Sequence, residues 1–202
     1  MGRMDDLAAR APRTLSRREM LRLGLPAALA LAAAGTVLLP PTLPRADADD
    51  DPTPGTVEGP YFKANSPERR VLRDASTVGT PFVLTGRVLS TKGEAVAGAV
   101  LDVWQADGNG AYDLAGFGLR GHQRAADDGS YRVETVVPGY YPGRTRHVHV
   151  KVQRPGGPIL TTQLFFPGDP RNRSDGLYST WLRMKVWDVE GGKAGSFQFV
   201  VA

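Results

Sequence analysis

Residues 140–153 read YYPGRTRHVHVKVQ. From His147 onward the residues alternate in character, which is the period of a β-strand with two unlike faces. Val148 and Val150 look to one side, His147 and His149 to the other. Pro138 and Gly139 stop the run before this one, and Arg154-Pro155-Gly156-Gly157-Pro158 turns the chain after it. A strand with an apolar face must bury that face against a second layer.

The same punctuation recurs along the chain. FVLTGRVLS (82–90) reads as a strand, Thr91-Lys92-Gly93-Glu94 as a turn, and VAGAVLDVWQA (96–106) as a second strand. Their spacing predicts a hairpin. YRVETVV (131–137) alternates, ILTTQLFF (159–166) follows the proline-glycine turn, and residues 196–202 are strand-like. Residues 181–189 fit either a strand or a short helical turn. No segment offers a long run with helical apolar spacing. With 24 glycines and 16 prolines in 202 residues, short strands and turns are expected to dominate, and the fold class is all-β, a β-sandwich. Residues 109–126 are expected to form a long connection. Tyr112, Phe117, Arg120 and His122 make it too aromatic for a simple linker.

The first fifty residues are set apart by composition. Ser16-Arg17-Arg18-Glu19-Met20-Leu21 precedes an apolar run from Leu23 to Leu39, and Ala46-Asp47-Ala48 fits a small-residue cleavage site. Residues 1–48 are therefore expected to be a signal peptide of the twin-arginine type. A membrane anchor is the competing reading, but Gly24, Pro26, Gly35, Pro40 and Pro41 interrupt or bound a run shorter than the usual span of about 20 residues. Export to the periplasm or beyond follows, with the twin-arginine machinery as a partner. Asp49-Asp50-Asp51 with Pro52 and Pro54 reads as a solvated linker over 49–55, leaving 56–202 as the folded domain. The leader holds seven basic and four acidic residues. Of the 25 and 21 in the whole chain, 18 basic and 17 acidic remain. No basic stripe argues for nucleic acid. The absence of cysteine excludes disulfides and thiolate metal sites.

The histidine pair is the chemical question. The chain has three histidines, and two lie one residue apart on one strand face. Such a pair can place two imidazole nitrogens on one metal, and equally it can be two packed histidines. A histidine-only site would need His122; a two-histidine, one-carboxylate site lacks an adjacent carboxylate. Tyrosine does stand beside the pair. Phenolate is a hard anionic donor, and with an ordinary pKa of about 10 it ionises at neutral pH only beside a strong positive charge.

Pro138-Gly139-Tyr140-Tyr141-Pro142-Gly143-Arg144-Thr145-Arg146-His147-Val148-His149-Val150 resembles the signature of intradiol ring-cleavage dioxygenases. Four other stretches resemble that family in order: Glu58-Gly59-Pro60-Tyr61-Phe62; Val103-Trp104-Gln105-Ala106-Asp107 with Gly110-Ala111-Tyr112; Leu119-Arg120-Gly121 through Asp127-Asp128-Gly129; and Thr162-Gln163-Leu164-Phe165-Phe166. The resemblance spans roughly residues 56–170. It implies a non-haem Fe(III) held by Tyr112, Tyr141, His147 and His149, with Tyr141 the ligand that substrate displaces. It implies Arg144 beside the substrate, Gln163 as a hydrogen-bonding group behind it, and Pro60 and Tyr61 on an arm over the substrate pocket. The implied activity is intradiol cleavage of a catechol-type ring by O2, giving a muconate-type diacid with no organic cofactor. The implied fold is a transthyretin- or prealbumin-like sandwich with long active-site loops.

Only five residues separate Tyr141 from His147, which resembles the small exported bacterial members; a homo-oligomer is compatible with this. Residues 82–103 also resemble transthyretin-like modules of cell-surface proteins, so a secreted binding or structural sandwich is the alternative from another class. A third reading puts copper or zinc on His147, His149 and His122. Trp104 and Tyr131 are expected in the core, Tyr140 at a packed rim, and Arg146 as a solvated charge.

Overall fold

The computed structural model describes residues 51–202. The expectations for the leader lie outside those residues. Eight strands follow one another: β1 (Pro81–Ser90), β2 (Val100–Trp104), β3 (Arg120–Arg124), β4 (Ser130–Val136), β5 (His147–Gln153), β6 (Ile159–Phe165), β7 (Lys185–Val189) and β8 (Gly192–Val201). They form two four-stranded sheets, ordered β4-β1-β8-β7 and β3-β2-β5-β6. Pairing is antiparallel except between β1 and β8, the first and last strands, which run parallel.

The core lies between the sheets, because each sheet turns one row of its alternation inward. Phe82, Leu84, Val88, Val133 and Phe199 come from the first sheet; Leu101, Val103, Val148, Val150, Val152 and Leu164 come from the second. Tyr131 joins this core as expected, its hydroxyl donating to the Phe197 carbonyl at 2.8 Å. The all-β sandwich expected from the sequence is thus the fold observed.

Local expectations fared less evenly. The predicted hairpin between 82–90 and 96–106 does not form, since β1 and β2 belong to different sheets. The chain doubles back only briefly, with Val96 N donating to Val88 O at 2.9 Å. It then crosses to the second sheet past Gly98, whose φ of 67° favours glycine. His122, read as a loop residue, lies in β3. Residues 181–189 divide between the two candidate structures: a 3-10 turn over Thr180–Leu182, then β7. In the segment read as a solvated linker, Thr53 is buried and paired in both directions with Val200 of β8.

Gly86 marks the tightest point of the first sheet. A Cβ built there would lie 1.7 Å from the Phe197 carbonyl oxygen and 2.7 Å from the Tyr131 ring. Both obstacles are fixed, one by the β1–β8 ladder and the other by the core. Gly86→Ala is expected to destabilise the protein by about 1–3 kcal/mol, the usual penalty for overpacking. The measurement is the urea midpoint, and an unchanged midpoint would contradict the close approach.

Candidate active site

The second sheet buries both of its faces. Across its outer face runs one row of residues in register: Arg120 of β3 opposite Trp104 of β2, Trp104 opposite His149 of β5, and His149 opposite Gln163 of β6. None of the four is more than 3% exposed. The stretch from Thr53 to Arg69 and the long loops cover them. Gln163 donates to the Val57 carbonyl at 3.0 Å. Arg120 donates to the Tyr61 carbonyl at 2.6 Å. Phe62 packs edge-on to Trp104, with ring centroids 4.9 Å apart. Lys151 pairs with Glu58 and sits 4.0 Å from the Phe62 ring centroid. Gly59, at φ 75°, presses so close that a Cβ would lie 3.3 Å from His149 Cε1. Trp104 is buried as expected, yet it packs under the site: its ring stacks on His149 at 4.8 Å and 10°.

Tyr112 and Tyr141 come from separate loops that cross at contact distance. The Gly139 amide donates to the Asp107 carbonyl at 2.7 Å. A Cβ on Gly110 would lie 2.1 Å from the Tyr140 carbonyl oxygen, so glycine is required where the loops cross. The crossing sets the two phenol rings edge to face with centroids 6.1 Å apart. Tyr61 stacks on Tyr112 at 4.5 Å, and its hydroxyl lies 3.3 Å from that of Tyr141. Tyr112 in turn lies 6.4 Å from His149, centroid to centroid. Pro60 is exposed at the edge of this aromatic group.

The two imidazoles converge. His147 Nε2 and His149 Nε2 are 3.2 Å apart. The other nitrogen of His147 faces the Thr145 carbonyl at 2.7 Å and must donate to it, so Nε2 carries the lone pair. His149 Nδ1 is buried with no partner. Burial lowers His147 to about 4, even against the Thr145 hydrogen bond. Burial, helped by His147, Arg144 and Arg120, lowers His149 to about 2. Both rings are therefore neutral at neutral pH. Burial raises the Tyr112 phenol above its ordinary value, while Arg144 and Arg120 pull the other way.

Arg144 completes the group. Its Nη2 donates to Gln163 Oε1 at 2.6 Å and its Nε to Asp175 Oδ2 at 2.9 Å. Thus Tyr112, Tyr141, His147, His149, Arg144, Gln163 and Tyr61, picked from the sequence, are brought together. Three other expectations differ. His122 stands opposite Asp102 and bonds Ser66, two strands and a row away from His149. Among the described residues no three His, Cys, Asp or Glu side chains cluster for a metal, so the copper or zinc site with His122 does not assemble. Arg146 is paired with Asp169 at 3.2 Å and sits 4.1 Å from the Tyr140 ring centroid, so it is no free charge. The sequence reading missed Asp175 and the structural part of Arg120. Nothing in the spacing of a lone Asp 28 residues beyond His147 marks it.

Two neutral imidazole nitrogens facing one point, with two phenols beside them and no thiolate, form a donor set for a hard cation. Positive charge there would also reverse the burial effect on Tyr112. An all-β sandwich carrying such a tyrosine–histidine group defines a class of non-haem metalloprotein. Comparison with known proteins narrows the class. Residues 57–188 match the family model described as dioxygenase, and the chain belongs to the intradiol ring-cleavage dioxygenase family. It is 34% identical over 151 residues to hydroxyquinol 1,2-dioxygenase of Rhizobium sp. (strain MTP-10005), covering 61% of this chain and 50% of that one. It is 30% identical over 155 residues to catechol 1,2-dioxygenase of Pseudomonas sp. (strain EST1001), covering 63% and 51%. The chain thus spans about half the length of these relatives. Among solved structures, the dioxygenase domain of a dioxygenase carbohydrate-binding protein fusion from Streptomyces sp. SirexAA-E is 52% identical. That match has a TM-score of 0.73 and covers 75% of this chain and 98% of that one.

Arg120 offers a direct test of how the site is roofed. It bridges the Tyr61 carbonyl and, at 3.1 Å, the Asp113 carbonyl. Arg120→Met leaves both oxygens unpaired, which costs about 1–3 kcal/mol for each group that stays buried. Trypsin is expected to cut after Lys63 faster in this variant, while the strands resist as in the parent. Equal cleavage rates would show that the covering segment is held without Arg120.

Proposed function

We propose that this protein cleaves a catechol-type ring between its two hydroxylated carbons, using O2 and a non-haem Fe(III), and releases a muconate-type diacid. The observation that carries the reading is the convergence of His147 Nε2 and His149 Nε2 beside Tyr112 and Tyr141. The rings of Tyr112, Tyr141, His147 and His149 would hold the metal. When bound, it supplies Lewis acidity and a template for a chelating catechol and makes the ring open to O2.

The chain's own groups prepare the rest. Tyr141, hydrogen-bonded to Tyr61 and partly exposed, would hold the metal as a phenolate and, in that form, would accept a substrate hydroxyl proton at its oxygen. Tyr112, stacked under Tyr61, stays in place. The Arg144 guanidinium, tied to Gln163, offsets the negative charge that grows on the ring oxygens. Pro60 and Tyr61 form the wall against which the substrate ring lies. Gln163 anchors that wall through the Val57 carbonyl. The relatives named above act on hydroxyquinol and catechol, and substrates of that class fit a site built from aromatic rings and one cation. A transthyretin-like sandwich with long active-site loops describes this arrangement, the sheets serving as scaffold and the loops as site. A secreted binding module of the same fold gives no reason for a buried imidazole pair with an unpartnered nitrogen.

Residues 1–48 serve as a twin-arginine leader in this reading, so the enzyme works outside the cytoplasm, alone or as a homo-oligomer. The paired arginines and the Ala46-Asp47-Ala48 site support it. Replacing both Arg17 and Arg18 by Lys is expected to hold the protein in the cytoplasm; unchanged export would remove the leader assignment.

Protein purified from iron-replete cells is expected to be reddish, from tyrosinate-to-iron charge transfer, with about one iron per chain, the stoichiometry of a single site. A strong Fe(III) chelator should bleach it. Tyr141→Phe should shift or weaken the band, and an unchanged spectrum would take Tyr141 off the metal. Oxygen uptake with catechol, protocatechuate and hydroxyquinol identifies the substrate. Cleavage outside the diol carbons, found by product analysis, would overturn the reaction type.

A further inference from the structure

The connection from β6 to β7 reaches back to the site through a single carboxylate. It contains a 3-10 turn, Pro170–Arg173, capped by Asp169. Just beyond the turn, the Asp175 side chain is 2% exposed. Its Oδ2 accepts from Arg144 Nε at 2.9 Å and from the Thr145 amide at 2.8 Å. Its Oδ1 accepts from the Leu177 amide at 2.9 Å. Burial pushes this carboxyl up, but the Leu177 and Thr145 amides and Arg144 outweigh it and hold the group below the usual carboxylate range.

The geometry of the ion pair is informative. A carboxylate can meet a guanidinium at its end, through both Nη nitrogens, or at its side, through Nε. Asp175 takes the side nitrogen, Nε, and leaves the end free. One end nitrogen, Nη2, is then fixed by Gln163 at 2.6 Å, and Nη1 has no partner among the described residues. The guanidinium is thereby held at two edges with one corner open. The same carboxylate holds the amide of Thr145, whose carbonyl accepts the Nδ1 proton of His147 at 2.7 Å. A second tie supports this peptide: Thr145 Oγ1 lies 2.7 Å from Asn172 Oδ1, and Asn172 Nδ2 donates to the Phe166 carbonyl at 2.9 Å.

We infer that Asp175 is a positioning residue of the site: it aims Arg144 toward the substrate and, through Thr145, sets the tilt and tautomer of the His147 ring. The kinetic part rests on the dioxygenase reading; the positional part rests on the contacts alone. Asp175 touches neither substrate nor metal and acts only through these two neighbours. A misplacement of about 1 Å, even one caused by a change away from the chemistry, can cost about a hundredfold in rate.

The test combines Asp175→Asn and Asp175→Ala with Arg144→Ala in the iron-loaded full chain. Asp175→Asn keeps the shape but lacks the charge and one acceptor, and Asp175→Ala lacks both acceptors. With catechol as substrate, kcat is expected to fall about ten- to hundredfold in the Asp175 variants, with KM changed much less. In the Arg144→Ala background the same replacement should cost severalfold less than in the parent, because the share of its effect carried by Arg144 is already lost and only the share carried through Thr145 and His147 remains. Crystals of Asp175→Asn should show Arg144 Nη2 withdrawn from Gln163 Oε1. Equal kinetic losses in both backgrounds, or an Arg144 that keeps its place in the variant crystals, would overturn the inference. Should the parent protein cleave no catechol, the proposed function fails, and the Arg144 position in the crystals still decides whether Asp175 places it.

Discussion

The structure depends on one expense: a row of polar and aromatic side chains buried on the outer face of a sheet. Arg120, Trp104, His149 and Gln163 lie side by side across four strands, and no carboxylate pairs with Arg120 among the described residues. Burying an unpaired guanidinium and a lone imidazole is unfavourable by several kcal/mol unless hydrogen bonds offset it. Here the offset comes from backbone carbonyls of the covering segment. Tyr61 and Asp113 supply them to Arg120, and Val57 supplies one to Gln163. The roof is thus not an accessory. Without it the row is a solvated sheet face, and with it all four side chains are buried.

That burial decides the electrostatics of the site. Two imidazoles that would ordinarily titrate near neutrality are kept uncharged by burial, with their Nε2 atoms turned to a common point. The phenol of Tyr112 is pushed toward its neutral form by the same burial, against the pull of two arginines. A cation held by the two imidazoles would favour loss of the phenol proton and so oppose the effect of burial. The sandwich core, made from the opposite side chains of the same strands, keeps these groups still: Val148 and Val150 are interlocked with the other sheet while His147 and His149 face the site.

How much of this was legible in the sequence follows from the distance each signal acts over. Strand alternation is local, so β1, β4, β5 and β6 were readable, as was the sandwich they imply. Which strands pair is not local. The hairpin expected between β1 and β2 failed because the turn at 91–94 is followed by a crossing at Gly98, and β1 takes its partners from β4 and β8 instead. β3 was missed because RGHQR has no apolar alternation: Gly121 and Gln123 occupy the inward positions. The site tyrosines and histidines were found through resemblance of ordered motifs. The histidine pair by itself was compatible with two ordinary packed side chains. Asp175 gave no signal, since its role arises where a distant loop folds back onto Thr145.

The pairing of the first strand with the last has a consequence in time. β1 needs β8 beside it, and Thr53, where the described structure begins to pack, is held by Val200 near the other end of the chain. Contacts between such remote positions slow folding, because the loop between them must be closed first. The rest of the segment that roofs the site lies on the second sheet, through Val57 on Gln163 and Tyr61 on Arg120, so β8 secures only its near end. The roof is therefore anchored twice: along its length by the second sheet, and at Thr53 by a strand 147 residues further along the chain.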